Sequence, residues 1–150
     1  MEKDIQFRNE LMLRYPRLYK KQIWPEFSEG WFDLVDKLSA EIYQKYEEWG
    51  NISDLPYVAQ MKEKFGGLRF YLESDTFFMD YPEKYEELDK IIAKYEKISQ
   101  TTCEECGSSG TLGRRGRGYW LQTLCVPCNE KKMAKEEEHF ANDVLDSSKN

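Results

Sequence analysis

Apolar residues return at three- and four-residue steps through WFDLVDKLSAEIYQKYEEW, where Trp31, Leu34, Val35, Leu38, Ile42, Tyr46 and Trp49 share one face. That spacing predicts an amphipathic helix over residues 31–49, and Gly50 fits its C-terminal stop. Ile5, Phe7, Leu11 and Met12 ahead of Pro16 predict a shorter helix ending near Tyr15. A third helix is expected from Pro82, whose fixed φ suits a first turn, through Tyr85, Leu88, Ile91, Ile92, Tyr95 and Ile98. Glu83, Glu86 and Glu87 lie early in it and Lys94 and Lys97 late, as the helix dipole favours. A last helix over about residues 129–144 is mostly polar, with Met133, Phe140 and Val144 on a thin seam that needs a docking surface. Residues 146–150 have the composition of a loose tail.

Between the second and third helices the pattern changes from period 3.6 to period 2. In VAQMKEKFGGLRFYLE a Gly66-Gly67 turn separates two alternating runs, which predicts a β-hairpin. In that register Phe65 faces Leu68, Glu63 faces Phe70 and Met61 faces Leu72, on a side for the helices to cover. The opposite side carries Lys62, Lys64, Arg69 and Tyr71, with Lys64 and Arg69 directly opposed, an arrangement that is unfavourable between like charges. These cations either splay into water or reach nearby carboxylates, or they hold an anion or an acidic patch of a partner beside the Tyr71 ring.

All the cysteines lie in CEECGSSGTLGRRGRGYWLQTLCVPC: Cys103 and Cys106 form one C-x2-C pair, Cys125 and Cys128 another, 18 residues apart. This spacing is that of a four-cysteine zinc site. Gly107 permits the left-handed turn after the first pair, and Pro127 stiffens the second. Leu112, Tyr119, Trp120, Leu121 and Leu124 are the few apolar residues such a lobe can bury, and Trp120 is expected in its core. The metal must supply the rest, and zinc binding to small modules is worth about 10–16 kcal/mol. Four thiolates fill the tetrahedron, so a structural rather than catalytic ion is expected. Arg114, Arg115 and Arg117 either compensate the negative charge of a zinc–thiolate centre or form a finger tip that grips phosphate or acidic side chains, with Tyr119 or Trp120 available for stacking.

The remaining composition narrows the function. The chain carries 15 basic and 20 acidic residues over positions 1–100, 5 and 3 over 101–134, and 2 and 5 over 135–150, a formal net charge of -6. Binding to bulk duplex DNA is therefore disfavoured, although a local anion site is compatible. A mean hydropathy of -0.80 and 33% charged residues argue against an integral membrane protein. The first residues, MEKDIQFRNELMLRYP, have neither signal-peptide nor anchor character, so a cytoplasmic location with reduced thiols is expected. The one histidine, His139, sits in the polar KEEEHFAND run as a surface residue, and no nucleophile or phosphate-loop motif is present. Catalysis is not expected. The form it would take is carboxylate-bound magnesium acting on a phosphate ester.

GWFDLVDKL, QMKEKFGGLRFYL, CEECG and W-x2-TLC-x2-C together resemble a family of small, functionally uncharacterised zinc-knuckle proteins of bacteriophages, prophages and bacteria. The likeness spans about residues 25–128 and implies a zinc-knuckle protein of viral or mobile-element origin, with no reaction attached. The expected architecture is α+β: a body over residues 1–100 with helices on a small antiparallel hairpin, a zinc lobe over 101–130, and a C-terminal helix and tail over 131–150. The expected function is a zinc-stabilised phage-type modulator or inhibitor that docks on a host protein of nucleic-acid or defence machinery. The alternative is a binder of nucleic acid or a nucleotide through the basic hairpin face and the arginine tip.

Overall fold

The computed structural model describes residues 1–148, and the side chains of residues 1–146. In chain order the elements are α1 (Glu2–Arg14), β1 (Pro25–Glu26), a 3-10 turn (Glu29–Trp31), α2 (Phe32–Trp49), β2 (Tyr57–Lys64), β3 (Gly67–Glu73), α3 (Phe77–Asp80), α4 (Pro82–Ser99), β4 (Thr111–Arg115), β5 (Trp120–Leu124) and α5 (Val126–Ser148). The architecture is α+β, with a three-stranded sheet ordered β1-β2-β3 and a separate two-stranded ribbon of β4 and β5. β1 runs parallel to β2, and β2 runs antiparallel to β3.

The stripe of α2 is buried as its spacing dictates: Leu34, Val35, Leu38, Ile42 and Tyr46 are all inside, and Gly50 ends the helix at φ +75°. Trp31 belongs to the 3-10 turn just ahead of that helix and is fully buried. α1 ends at Arg14 and contributes Phe7 and Leu11 to the same core, with Phe7 stacked on Phe32 at 4.1 Å. α4 begins at Pro82 and buries Leu88 and Ile92. It also closes the sheet edge, because the β3 amides of Leu68 and Phe70 donate to Ser99 Oγ at 2.9 Å and Glu96 Oε2 at 3.1 Å.

The hairpin exists, but its turn is Phe65-Gly66 rather than Gly66-Gly67. Lys64 pairs with Gly67, Glu63 with Leu68, Lys62 with Arg69 and Met61 with Phe70. Phe65 (φ 54°) and Gly66 (φ 81°) both take positive φ, as a tight I′ connection requires. Contacts from outside the hairpin favour this register. Gly66 O accepts the buried Thr123 hydroxyl at 2.7 Å, and any side chain on Gly66 would overlap the Leu112 methyl. Phe65 therefore leaves the apolar side and is 64% exposed, and the opposed cations are Lys62 and Arg69 in place of Lys64 and Arg69.

At the C-terminal end α5 begins earlier than its apolar seam suggests, with Val126, Pro127 and Cys128 in its first turn. The loose tail expected over residues 146–150 is helical through Ser148, and residues 149–150 lie outside the described residues. No helix among the described residues is long and apolar enough to cross a membrane.

Candidate metal centre

The four cysteines are brought together by two turns and the ribbon between them. Thr101 and Thr102 hydroxyls donate back to Ile98 O, so the first cysteine turn leaves directly from the end of α4. That turn closes with Gly107 N donating to Cys103 O at 2.9 Å, and Gly107 adopts the expected left-handed backbone at φ 82°. β4 and β5 then pair from Thr111–Leu124 to Arg115–Trp120, returning the chain so that Cys125 follows the ribbon and Cys128 sits on α5.

The Sγ atoms of Cys103, Cys106, Cys125 and Cys128 all lie within 4.8 Å of one another, with Cys106 and Cys125 3.6 Å apart. A tetrahedral ion with metal–sulfur bonds of about 2.3 Å needs sulfurs about 3.8 Å apart. The set fits, and all four are free cysteines that could hold a metal ion. Packing four sulfurs together also divides their protonation. Cys106 is pulled down to about 6, first by the Ser108 hydroxyl, whereas Cys128 is pushed up, first by its contact with Cys125. Binding a cation would remove that conflict by stabilising thiolates and releasing protons.

The centre is docked on the body from two sides. On one side Gly30 N donates to Glu104 O at 2.8 Å, Ser28 N donates to Glu104 Oε2 at 3.1 Å, and Trp31 Nε1 donates to Thr102 O at 2.8 Å. A Cβ on Gly30 would overlap the carbonyl oxygens of Cys103 and Glu104, so only glycine fits there. On the other side Glu104 N donates to Thr123 O at 3.0 Å while Thr123 holds the hairpin turn through Gly66. Cys103, Glu104, Thr123 and Leu124 are buried as a result. Burial, reinforced by Glu63 and Glu105, pushes the Glu104 carboxyl above its usual range despite the Ser28 amide. Sequence reasoning missed Glu104 and Gly30: a glutamate between two ligands looks like one more surface charge, and one glycine ahead of a helix has many uses.

The ribbon itself departs from expectation. Trp120 is not core: it is 70% exposed, and Tyr119 is 68% exposed beside it. Leu124, next to the cysteines, fills the buried position, and Trp120 stands at the opposite end of β5, largely open to solvent. Arg114 donates to Tyr119 O, Arg115 folds back onto Thr111 and Leu124 O, and the Arg117 guanidinium lies 3.7 Å over the Phe140 ring of α5. Lys132 donates to Gln122 Oε1, giving α5 a second tie to the ribbon. His139 is exposed on α5, beside a groove of about 540 Å³ that also borders Cys106 and Cys128.

Lys62, Lys64, Arg69 and Tyr71 share the sheet face opposite the buried Met61 and Phe70; Lys62 and Arg69 are half-buried, and Lys64 and Tyr71 are exposed. The structure thus defines a mixed α+β protein with a four-cysteine cluster fastened to its body. Comparison with protein-family models, curated proteins and solved structures finds no match.

Proposed function

We propose that the chain is a non-enzymatic binding protein, stapled by one structural zinc ion, that docks on a protein partner through the tip of the β4–β5 ribbon. Zinc is the ion that four clustered thiolates suit best, and a filled tetrahedron offers no position for a reacting water. The observation that carries the docking assignment is the adjacent pair Tyr119 and Trp120, 68% and 70% exposed at the ribbon tip with Arg114 and Arg117 beside them. Tyrosine, tryptophan and arginine are the residues that dominate protein interfaces, because their large rigid surfaces are costly to leave in water. The acidic net charge of -6, the high aromatic content and the phage-type motifs together favour a protein partner, and the partner we propose is a host protein of nucleic-acid or defence machinery, met in the cytoplasm through its basic surface and modulated or inhibited by the chain.

The test is affinity capture from nuclease-treated host lysate with the zinc-loaded chain and with the Tyr119→Ala/Trp120→Ala variant. A defined protein is expected on the native chain, weakened at least ~10-fold in the variant while its zinc content stays unchanged. Equal retention by both, or loss of all binding on nuclease treatment, would contradict the assignment.

A further inference from the structure

The sheet face opposite Met61 and Phe70 sets two cations directly against each other with a third beside them, a charge that nearby carboxylates offset only in part. Lys62 and Arg69 are direct cross-strand partners, and Lys64 lies on the same face beside Gly67. Like charges set opposite each other on a sheet repel. Carboxylates are close at hand: Glu26 is the β1 register partner of Lys62 and Glu96 lies within reach of the Arg69 charge, although each bordering carboxylate also accepts a hydrogen bond from another group. Glu26 accepts from Gln60 at 2.9 Å, Glu63 accepts from Gly66 N, Glu73 accepts from Tyr57 and pairs with Lys21, and Glu96 accepts from Phe70 N. Among the described residues no ion pair within 4.0 Å involves Lys62, Lys64 or Arg69. Arg69 turns to the Leu68 carbonyl and Lys62 to the Tyr71 ring, 6.0 Å from its centroid.

Beside this cationic row lies a trough of about 680 Å³ that includes Trp24, Gln60 and Tyr71, with Glu26 and Glu73 at its sides. Trp24 is 47% and Tyr71 42% exposed. Lys62 and Lys64, two residues apart along β2 and so about 6.6–6.8 Å, followed by the Tyr71 ring and by Trp24, one face of which carries the Arg8 guanidinium at 4.5 Å, match a phosphodiester backbone with unstacked bases. The trough carboxylates suit the amino groups of free base edges and would repel the second backbone of a duplex.

We propose that this face, Lys62, Lys64 and Arg69 with Tyr71 and Trp24, binds a single strand of nucleic acid, the phosphates on the cationic row and the bases in the trough. It is a surface separate from the ribbon tip and does not depend on the docking assigned there.

The experiment is fluorescence anisotropy of labelled single-stranded 12-mers, one of DNA and one of RNA, and of a blunt duplex, titrated with the zinc-loaded full chain over a salt series. Binding of either single strand is expected, with log K falling against log salt at a slope of about -2 for three neutralised phosphates. The Lys62→Ala/Lys64→Ala/Arg69→Ala variant should bind at least ~10-fold more weakly with a slope near zero. Tyr71→Ala should lose affinity severalfold with the slope unchanged. Retained zinc and an unchanged far-UV circular dichroism spectrum with a cooperative thermal transition would show the triple variant folded. The proposal is overturned if neither single strand binds, if the duplex binds as tightly, if the folded triple variant binds like the native chain, or if the face takes an acidic peptide in preference.

Discussion

Asp54 shows how one half-buried side chain can organise a segment. Its carboxylate accepts from the amides of Asp75, Thr76 and Phe77 and from the Thr76 hydroxyl, which sets the start of α3 and delivers Phe77, fully buried, against Trp49 at 6.0 Å. These donors, the Thr76 amide first, hold the carboxyl below its ordinary value of 3.8. A depressed folded-state value contributes stability that is complete above the ordinary value and is lost as pH falls through the depressed one. The gap in thermal midpoint between the native chain and Asp54→Asn should therefore be widest near neutral pH and close on acidification. Metal release in acid is common to both chains and drops out of the difference. A gap independent of pH would contradict the assignment. Phe65 carries a different lesson at the same scale. A Gly-Gly pair is the stronger local turn signal, yet the left-handed conformation falls on a phenylalanine because Thr123 and Leu112, far along the chain, fix the position of Gly66.

At the scale of elements, the helices were legible because each repeats one rule over many residues. The α2 stripe, the Pro82 start and the α4 seam needed only periodicity and capping chemistry, and the C-x2-C spacing needed only metal-ligand geometry. The hairpin register, β1 and the ribbon were not legible, since each depends on a partner remote in sequence: Gly66 on Thr123, Pro25 on Met61, and the ribbon tip on α5, where Glu136 accepts from Arg117 N and Phe140 meets its guanidinium. The joint between the first cysteine turn and the start of α2 is likewise tertiary, and it can be tested. Gly30→Ala should destabilise the folded chain by about 2–3 kcal/mol, because a methyl would push the Cys103–Glu104 backbone away. Gly50→Ala meets open space, so its cost of about 1–3 kcal/mol comes from the backbone alone, at φ +75° and ψ -138°. Urea unfolding of both variants with metal bound gives the comparison. A Gly30→Ala variant as stable as the native chain would mean that the turn does not dock as described.

For the whole molecule, the metal centre is where the parts meet. The cysteine cluster is continuous with α4, pinned to the 3-10 turn through Glu104 and Trp31, and tied to the hairpin through Thr123. A ribbon whose only fully buried apolar side chain is Leu124 cannot hold that position by packing alone, so an ion held by the four cysteines would supply what its small core lacks. The two surfaces proposed to bind, the aromatic ribbon tip and the cationic sheet face, then stand on one scaffold whose geometry the four sulfurs maintain. The most direct measurement is metal analysis combined with X-ray absorption at the zinc edge on chain purified without a chelating tag. One zinc per chain with four sulfur neighbours at about 2.3 Å is the expected result. No stoichiometric metal, or an oxygen or nitrogen ligand in place of a sulfur, would contradict the account.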